Sequence, residues 1–450
     1  MKYQYKLLIL ISILSILQSC KEDEPIMSED DFLDIKMSVN MLRSADVETL
    51  DFFKMPNSDD LTAIPQDPLN ELNPYKVELG RYLYHETGLA LNPTKAMSVE
   101  TYSCASCHFA AAGFQAGLRQ GIGEGGSGFG IKGEGRTLDP SYLSTEIDVQ
   151  PIRTPSAMNG AYQKVMLWNG QFGATGMNAN TQANWTADTP IEMNYMGYEG
   201  LEIQAIAGLK VHRMVVDTSL ISNAEYKELF DSAFPDFMQN DRYTSETAGL
   251  AIAAYERTLL ANESPFQRWV SGEKTALTKA QKEGAVVFFG KGGCGECHTG
   301  PALNSMAFYG YGMDDLKGSG TFNVNPNSGT HKGRGGFTKN PNDEYKFKVP
   351  QLFNLKDSPH YGHGSSFTSI REVIIYKNEG IKENGKVPGF QLARQFQPLN
   401  LTDAEIETLT DFIENGLYDP NLMRYQPDYV ISGNCIPVND VQGKIDLGCN

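Results

Sequence analysis

Two copies of the pattern Cys-x-x-Cys-His constrain this chain more than anything else in it. Cys104-Ala105-Ser106-Cys107-His108 and Cys294-Gly295-Glu296-Cys297-His298 begin 190 residues apart. An amphipathic helical pattern precedes each, Leu79-Gly80-Arg81-Tyr82-Leu83-Tyr84 in the first case and Gly284-Ala285-Val286-Val287-Phe288-Phe289 in the second. The chain therefore reads as a duplicated module. Two thiols three positions apart on one helical turn can add to the two vinyl groups of a single porphyrin. The next residue, a His, is then placed to bind the iron from the proximal side. A thioredoxin-like redox pair would need neither the trailing His nor a second copy, and a zinc site would want four ligands closer in sequence. The expected cofactors are two covalently bound c-type haems, with His108 and His298 as iron ligands.

Haem of this type is attached outside the cytoplasm, so the reading requires export, and the N-terminus supplies a signal for it. Lys2 and Lys6 are followed by Leu7–Leu17, apolar except for two Ser, and then by Leu17-Gln18-Ser19-Cys20. That run is too short to span a bilayer comfortably and has the tripartite form of a signal peptide over residues 1–19. A Cys directly after a small residue resembles a lipobox, where the thiol is acylated and becomes the new N-terminus. An ordinary cleaved signal with an incidental Cys is the alternative. Lys21-Glu22-Asp23-Glu24 looks like the acidic sorting tag of surface-exposed lipoproteins. The expected location is the periplasm or the cell surface, anchored to the outer membrane through lipidated Cys20, with the face left open.

Residues 20–70 are polar and read as a tether and lead-in. Cys435 and Cys449 fall in a tail, 426–450, where an oxidising compartment favours a disulfide. The seven Cys then divide among a lipid anchor, two haem pairs and one disulfide, with no free thiol left. A run from Gly113 to Gly135 is glycine-rich but lacks the Lys-Ser/Thr ending of a phosphate loop, and is expected to be a mobile loop near the first motif. Charge settles one further class. With 38 Lys and Arg against 55 Asp and Glu the formal charge is -17, which argues against a nucleic-acid partner and suits a basic protein partner.

Between and around the two motifs the sequence resembles the bacterial di-haem cytochrome c peroxidase family, which also contains the maturase of methylamine dehydrogenase. The resemblance runs from about Asn73 to Asn415. It is carried by Leu79-Gly80-Arg81, Arg153-Thr154-Pro155-Ser156, Leu167-Trp168-Asn169-Gly170, Ala254-Tyr255-Glu256-Arg257-Thr258-Leu259, Cys297-His298-Thr299-Gly300-Pro301 and Val349-Pro350-Gln351-Leu352-Phe353-Asn354. It implies an all-α fold with two cytochrome c-like haem domains facing each other, long loops and few strands. Residues 71–265 would form the peroxide-reacting domain and 266–425 the electron-entry domain. The implied activity is reduction of hydrogen peroxide to water with electrons from a small cytochrome c or cupredoxin. Family members are often dimers, so a homodimer is open to this chain.

Residue roles follow from the same resemblance. Trp168 fits the tryptophan that lies between the haems. For the distal acid–base pair two registers compete. Gln182 and Glu192 have the family's ten-residue spacing, whereas Leu201-Glu202-Ile203-Gln204-Ala205 matches its Leu-Glu-x-Gln-Ala segment but reaches Met214 ten residues on. In that second register His212 is the nearest group able to handle protons or bind iron. At the second haem, the helix Ser369–Lys377 resembles the one that delivers the far ligand. The strict register places Lys377 there with Tyr376 beside it, and Met306 and Met313 are substitutes. His360 and His363 correspond to the family's Tyr-x-His-x-Gly turn. Such proteins commonly hold calcium between the haems through an Asn side chain and backbone oxygens. Arg153 stands at the Asn position, so either the site is lost or the guanidinium takes over its charge and pairs with haem propionates. Two other readings stay open: maturase-like oxidation of a partner protein's side chains, favoured by Tyr376, and a non-catalytic electron carrier, favoured by His212 as an iron ligand.

Overall fold

The computed structural model describes residues 27–449, so the export segment and Cys20 lie outside the described residues. In chain order its α-helices are α1 (Glu29–Ala45), α2 (Pro74–His85), α3 (Gly200–Val211), α4 (Thr218–Ser222), α5 (Ala224–Ala233), α6 (Ser245–Arg257), α7 (Pro265–Val270), α8 (Lys279–Phe289), α9 (Arg334–Thr338), α10 (Ile370–Glu379), α11 (Asp403–Asp411) and α12 (Val441–Leu447). Strands are limited to two antiparallel pairs, β1 (Gly126–Ser127) with β2 (Thr137–Leu138) and β3 (Phe308–Tyr309) with β4 (Phe347–Lys348). The protein is helix-rich with few strands. None of its described helices is long and apolar enough to cross a membrane.

Local chemistry fixes the helix starts. Asn73 caps α2 by accepting from the Lys76 amide, and Pro74 sits in the first turn where its missing N–H costs nothing. Thr244 with Thr247, Thr278 with Gln281, Ser369 with Glu372 and Thr402 with Glu405 form reciprocal capping boxes at the starts of α6, α8, α10 and α11.

The helix before each Cys-x-x-Cys-His motif crosses a later helix at a glycine. A Cβ on Gly80 of α2 would meet the Ala251 carbonyl oxygen of α6 at 1.9 Å, and one on Gly284 of α8 would meet the Thr408 carbonyl oxygen of α11 at 2.0 Å. No side chain fits at either crossing, so glycine is required at both. This repeated device is the structural counterpart of the two similar sequence stretches. Around it runs one continuous core, from Met37 and Phe53 through Leu79 and Leu250 to Phe288 and Phe412.

Two stretches differ from the sequence expectation, and in a third the expected tail disulfide is present. Within 27–70, read above as tether and lead-in, α1 buries Met37 and Met41 against α8. There the buried Lys282 ammonium pairs with Asp30 and Asp34 at 2.7 and 2.9 Å. The glycine-rich run is tied down, because the buried Arg136 guanidinium donates to the carbonyls of Gly123 (2.8 Å) and Gly128 (3.2 Å) and pairs with Asp440 (3.2 Å). The C-terminal tail also returns to the first motif. Ser103 and Ser106 both donate to the Pro437 carbonyl (3.1 and 2.8 Å), Val438 bridges Tyr102, and a Cys435–Cys449 disulfide closes the strap.

Candidate functional site

Both Cys-x-x-Cys-His motifs fold the same way. Cys104–Ser106 and Cys294–Glu296 each wind one tight turn, and the His backbone amide that follows donates to the first Cys carbonyl, at 3.1 Å for His108 and 2.9 Å for His298. Each His then meets carbonyls with its Nδ1: Phe114 at 3.4 Å for His108, Leu303 and Pro350 at 3.1 Å for His298. A carbonyl only accepts, so Nδ1 carries the proton and Nε2 keeps its lone pair. Burial pushes both imidazoles down to about 4, so both are neutral near pH 7. The four thiols are not disulfide-bonded, and burial raises every one of them, Cys107 to about 12 and Cys294 to about 11. A disulfide-exchange pair depends on a lowered thiol pKa, so this environment speaks against that alternative.

Beside the first motif stands α3. Its position is set by a buried clamp, in which Arg257 of α6 makes a two-pronged pair with Glu202 of α3 at 2.8 and 2.7 Å. Gln204, Gly208 and His212 then follow at four-residue intervals on one face. A Cβ on Gly208 would have nothing within 4 Å, and the buried Gln204 Oε1 has no hydrogen-bond partner. At the end of α3 the His212 Nδ1 lies 2.7 Å from Asp148 Oδ2. Burial alone would lower His212, but the Asp148 carboxylate raises it above its ordinary value; Asp148 is in turn held below its own by His212 and Arg213, against the burial that would raise it. His212 is near enough to help depress His108, and Asp148 near enough to help raise Cys107. Gln204 and His212 thus share a face with open space in front of it. Gln182 and Glu192 do not join them. Gln182 is exposed and donates to the Ala179 carbonyl, and Glu192 accepts from the Asp188 amide at 3.0 Å.

A cavity of about 440 Å³ opens against the second motif, with Cys294, Cys297 and His298 on its wall. Trp168 and Arg153 reach it from the segment after the first motif. The Trp168 indole N–H donates to the Arg153 carbonyl (2.8 Å), and its ring meets His363 edge-on at 6.3 Å. The Arg153 guanidinium is buried and donates to the carbonyls of Leu118 (2.8 Å) and Ala116 (3.3 Å) and to the Ser358 hydroxyl (2.6 Å); burial pushes it down to about 10. Nearby, Nε2 of His331, Nδ1 of His360 and Nε2 of Gln115 are buried without hydrogen-bond partners, while His331 Nδ1 and His363 Nε2 face the Asp315 carboxylate at 3.4 and 3.5 Å. From α10, the stripe Ile370, Val373, Ile374 and Lys377 lines the cavity. Tyr376 is off that stripe. Its hydroxyl donates to the Tyr311 carbonyl at 2.6 Å and its ring packs on Phe367 and Phe396, so the phenol is directed away from the cavity that it was expected to serve. Met313 is on the wall and Met306 is not among the lining residues.

These residues suit haem. Two neutral imidazoles present Nε2, a pair of thiols flanks each, and beside the second motif the buried Gln115 amide nitrogen is a donor without a partner, of the kind that would meet a propionate oxygen. The family model described as di-haem cytochrome c peroxidase matches residues 74–275. Over that span the chain is similar to the di-haem cytochrome c peroxidase family. Its relatives include the cytochrome-c peroxidase IdrP1 of Pseudomonas sp., 28% identical over 384 residues that cover 79% of this chain and 84% of the relative. The methylamine utilization protein MauG of Methylorubrum extorquens is 27% identical, covering 82% of this chain and 84% of its own length. A crystal structure of a MauG-like protein associated with microbial copper homeostasis shares the fold, with a TM-score of 0.55 and 21% identity over 82% of this chain and 96% of that one. The relatives include both peroxidases and MauG, and the likeness is to proteins of either kind.

Sequence reasoning did not find Asp148, Arg257 with Glu202, or the Arg136 anchor. Asp148 is 64 residues from His212 and carries no local motif. Arg257 and Glu202 each lie inside a quoted family segment, which was the one available signal.

Proposed function

We propose that this chain carries two covalently attached c-type haems and reduces hydrogen peroxide to water with electrons from a small cytochrome c or cupredoxin. His108 with Cys104 and Cys107 would hold the peroxide-reacting haem, and His298 with Cys294 and Cys297 the electron-entry haem. The observation that carries the reading is the α3 face, where Gln204 and His212 look onto open space beside the first motif and His212 is braced by Asp148. When bound, the haem supplies the iron that receives peroxide and the electrons that cleave its O–O bond.

The protein's part is to place protons and exclude competing contacts. With Nδ1 held by Asp148, the imidazole has one orientation and one free nitrogen. Its Nε2 takes the proton from one peroxide oxygen and returns it to the other, which then leaves as water. The Gln204 amide, unpartnered at its oxygen, orients the peroxide by hydrogen bonding. Trp168, on the cavity wall at the second motif and bonded to Arg153 after the first, lies on the route between the two sites. At the position that would otherwise take calcium, Arg153 is already bound to two backbone carbonyls, so the reading includes no calcium. Export, acylation at Cys20 and outer-membrane anchoring complete the proposal.

Stopped-flow mixing of half-reduced holoprotein with hydrogen peroxide and a reduced cytochrome tests it. Donor oxidation at two electrons per peroxide is expected. His212→Ala should slow the peroxide step by roughly 10²–10⁴-fold, the usual worth of a positioned acid–base group, while Glu192→Ala leaves it unchanged. No reaction of peroxide at either haem would leave an electron carrier, and peroxide reaction without donor turnover would favour a maturase-like role.

A further inference from the structure

Two lysines are buried around the second motif and fully accounted for, and a third, Lys377, is half-buried on the cavity wall. Lys282 pairs with Asp30 and Asp34. Lys348 donates to the Gln163 side chain and to the Val165 carbonyl, the latter at 2.7 Å. Lys377 has no such partner. Its Nζ lies 3.5 Å from the centroid of the Tyr311 ring, and among the described residues it has no carboxylate partner. A cationic amine on a cavity wall without a carboxylate partner is costly. Lys377 lines the same cavity as His298 and the two Cys, on the helix stripe Ile370, Val373, Ile374 and Lys377.

We propose that the Nζ of Lys377 is the second axial ligand of the haem iron held by His298. The assignment rests on a haem being bound at this motif. The amine loses its proton to solvent and donates its lone pair to iron, which gives the unpartnered nitrogen the contact that the protein alone does not supply. An amine in place of a thioether lowers the haem's potential, since Met is the ligand that raises it, and a sixth ligand keeps peroxide from this iron. Tyr376 is held elsewhere by the Tyr311 carbonyl, and Met313 is the competing group on the wall.

Near-infrared magnetic circular dichroism and electron paramagnetic resonance of the oxidised full-length holoprotein test the ligand directly. A low-spin histidine–amine signature from one haem of two is expected. In Lys377→Ala that signature should vanish as one haem turns high-spin, and in Lys377→Met it should be replaced by a sulfur-to-iron band with a higher midpoint potential. A wild-type signature of histidine–thioether or histidine–phenolate ligation, or a Lys377→Ala protein with both haem spectra unchanged, overturns the assignment while leaving two haems in place. If Lys377→Ala fails to take up haem, the wild-type signature decides alone. A wild-type chain with no haem at the second motif overturns this assignment and the di-haem reading together.

Discussion

His212 occupies the C-cap of α3, where the helix dipole favours a cation and Asp148 adds a full negative charge at 2.7 Å. Against burial and Arg213, which lower it, Asp148 raises its pKa, and the base form needed to accept a peroxide proton is the deprotonated imidazole above that raised value. The acid limb of the pH profile for the peroxide step should lie above the ordinary histidine range. Asp148→Asn removes the charge that raises the pKa, so the limb should move to lower pH, with a reduced plateau because the ring loses its orientation. Rates measured across pH 5 to 9 read both effects, and a limb that stays put would show that His212 is not the titrating group. At this scale the Cys and His of both motifs could be picked out from the sequence, because each sits in a dense local pattern, and Trp168 and His212 could be named as candidates. Tyr376 and Lys377 were not separable there. Adjacent helix positions differ by about 100° in direction, and only packing against Phe367 and Phe396 shows which of the two faces the cavity.

The elements that hold these side chains depend on a few buried polar contacts. Arg257 and Glu202 are both fully enclosed, and their pair fixes α3 against α6. Removing one member leaves an uncompensated buried charge, so Arg257→Ala should cost about 3–5 kcal/mol, whereas replacing both by apolar residues of similar volume should recover much of the loss. Denaturant midpoints of the single and double variants check this. The tail strap is a second such element. Its disulfide closes a loop of sequence separation 14, for which chain entropy predicts about 3 kcal/mol. Because the strap covers Ser103, Ser106 and Arg136, the joint change Cys435→Ser and Cys449→Ser should speed hydrogen exchange in 126–138 and at the first motif before it lowers global stability. The helices before each motif could be read from their amphipathic period and caps. The strap could not, since its partners are over 300 residues apart in sequence and meet through backbone carbonyls that no side-chain pattern encodes.

Across the whole molecule the modules share one core, with α1 from the N-terminal region packed on α8 and the C-terminal strap returned to the first motif. Each end of the described chain is thus fastened to the module that is farther from it in sequence. The surface carries the remaining information about partners. The formal charge of -17 becomes -19 if processing at Cys20 removes Lys2 and Lys6, and a field of that sign steers basic donors towards the protein and repels acidic ones. Screening shortens the reach of that field to roughly 10 Å at 0.1 M salt and about 3 Å at 1 M. Turnover with a basic cytochrome donor should therefore show a KM that rises steeply between low and high ionic strength while kcat, set after docking, changes little. An acidic donor should show the reverse trend in KM. Steady-state assays across a salt series with one donor of each sign distinguish the two, and a KM indifferent to salt with both would mean that docking is governed by an apolar contact instead of by net charge.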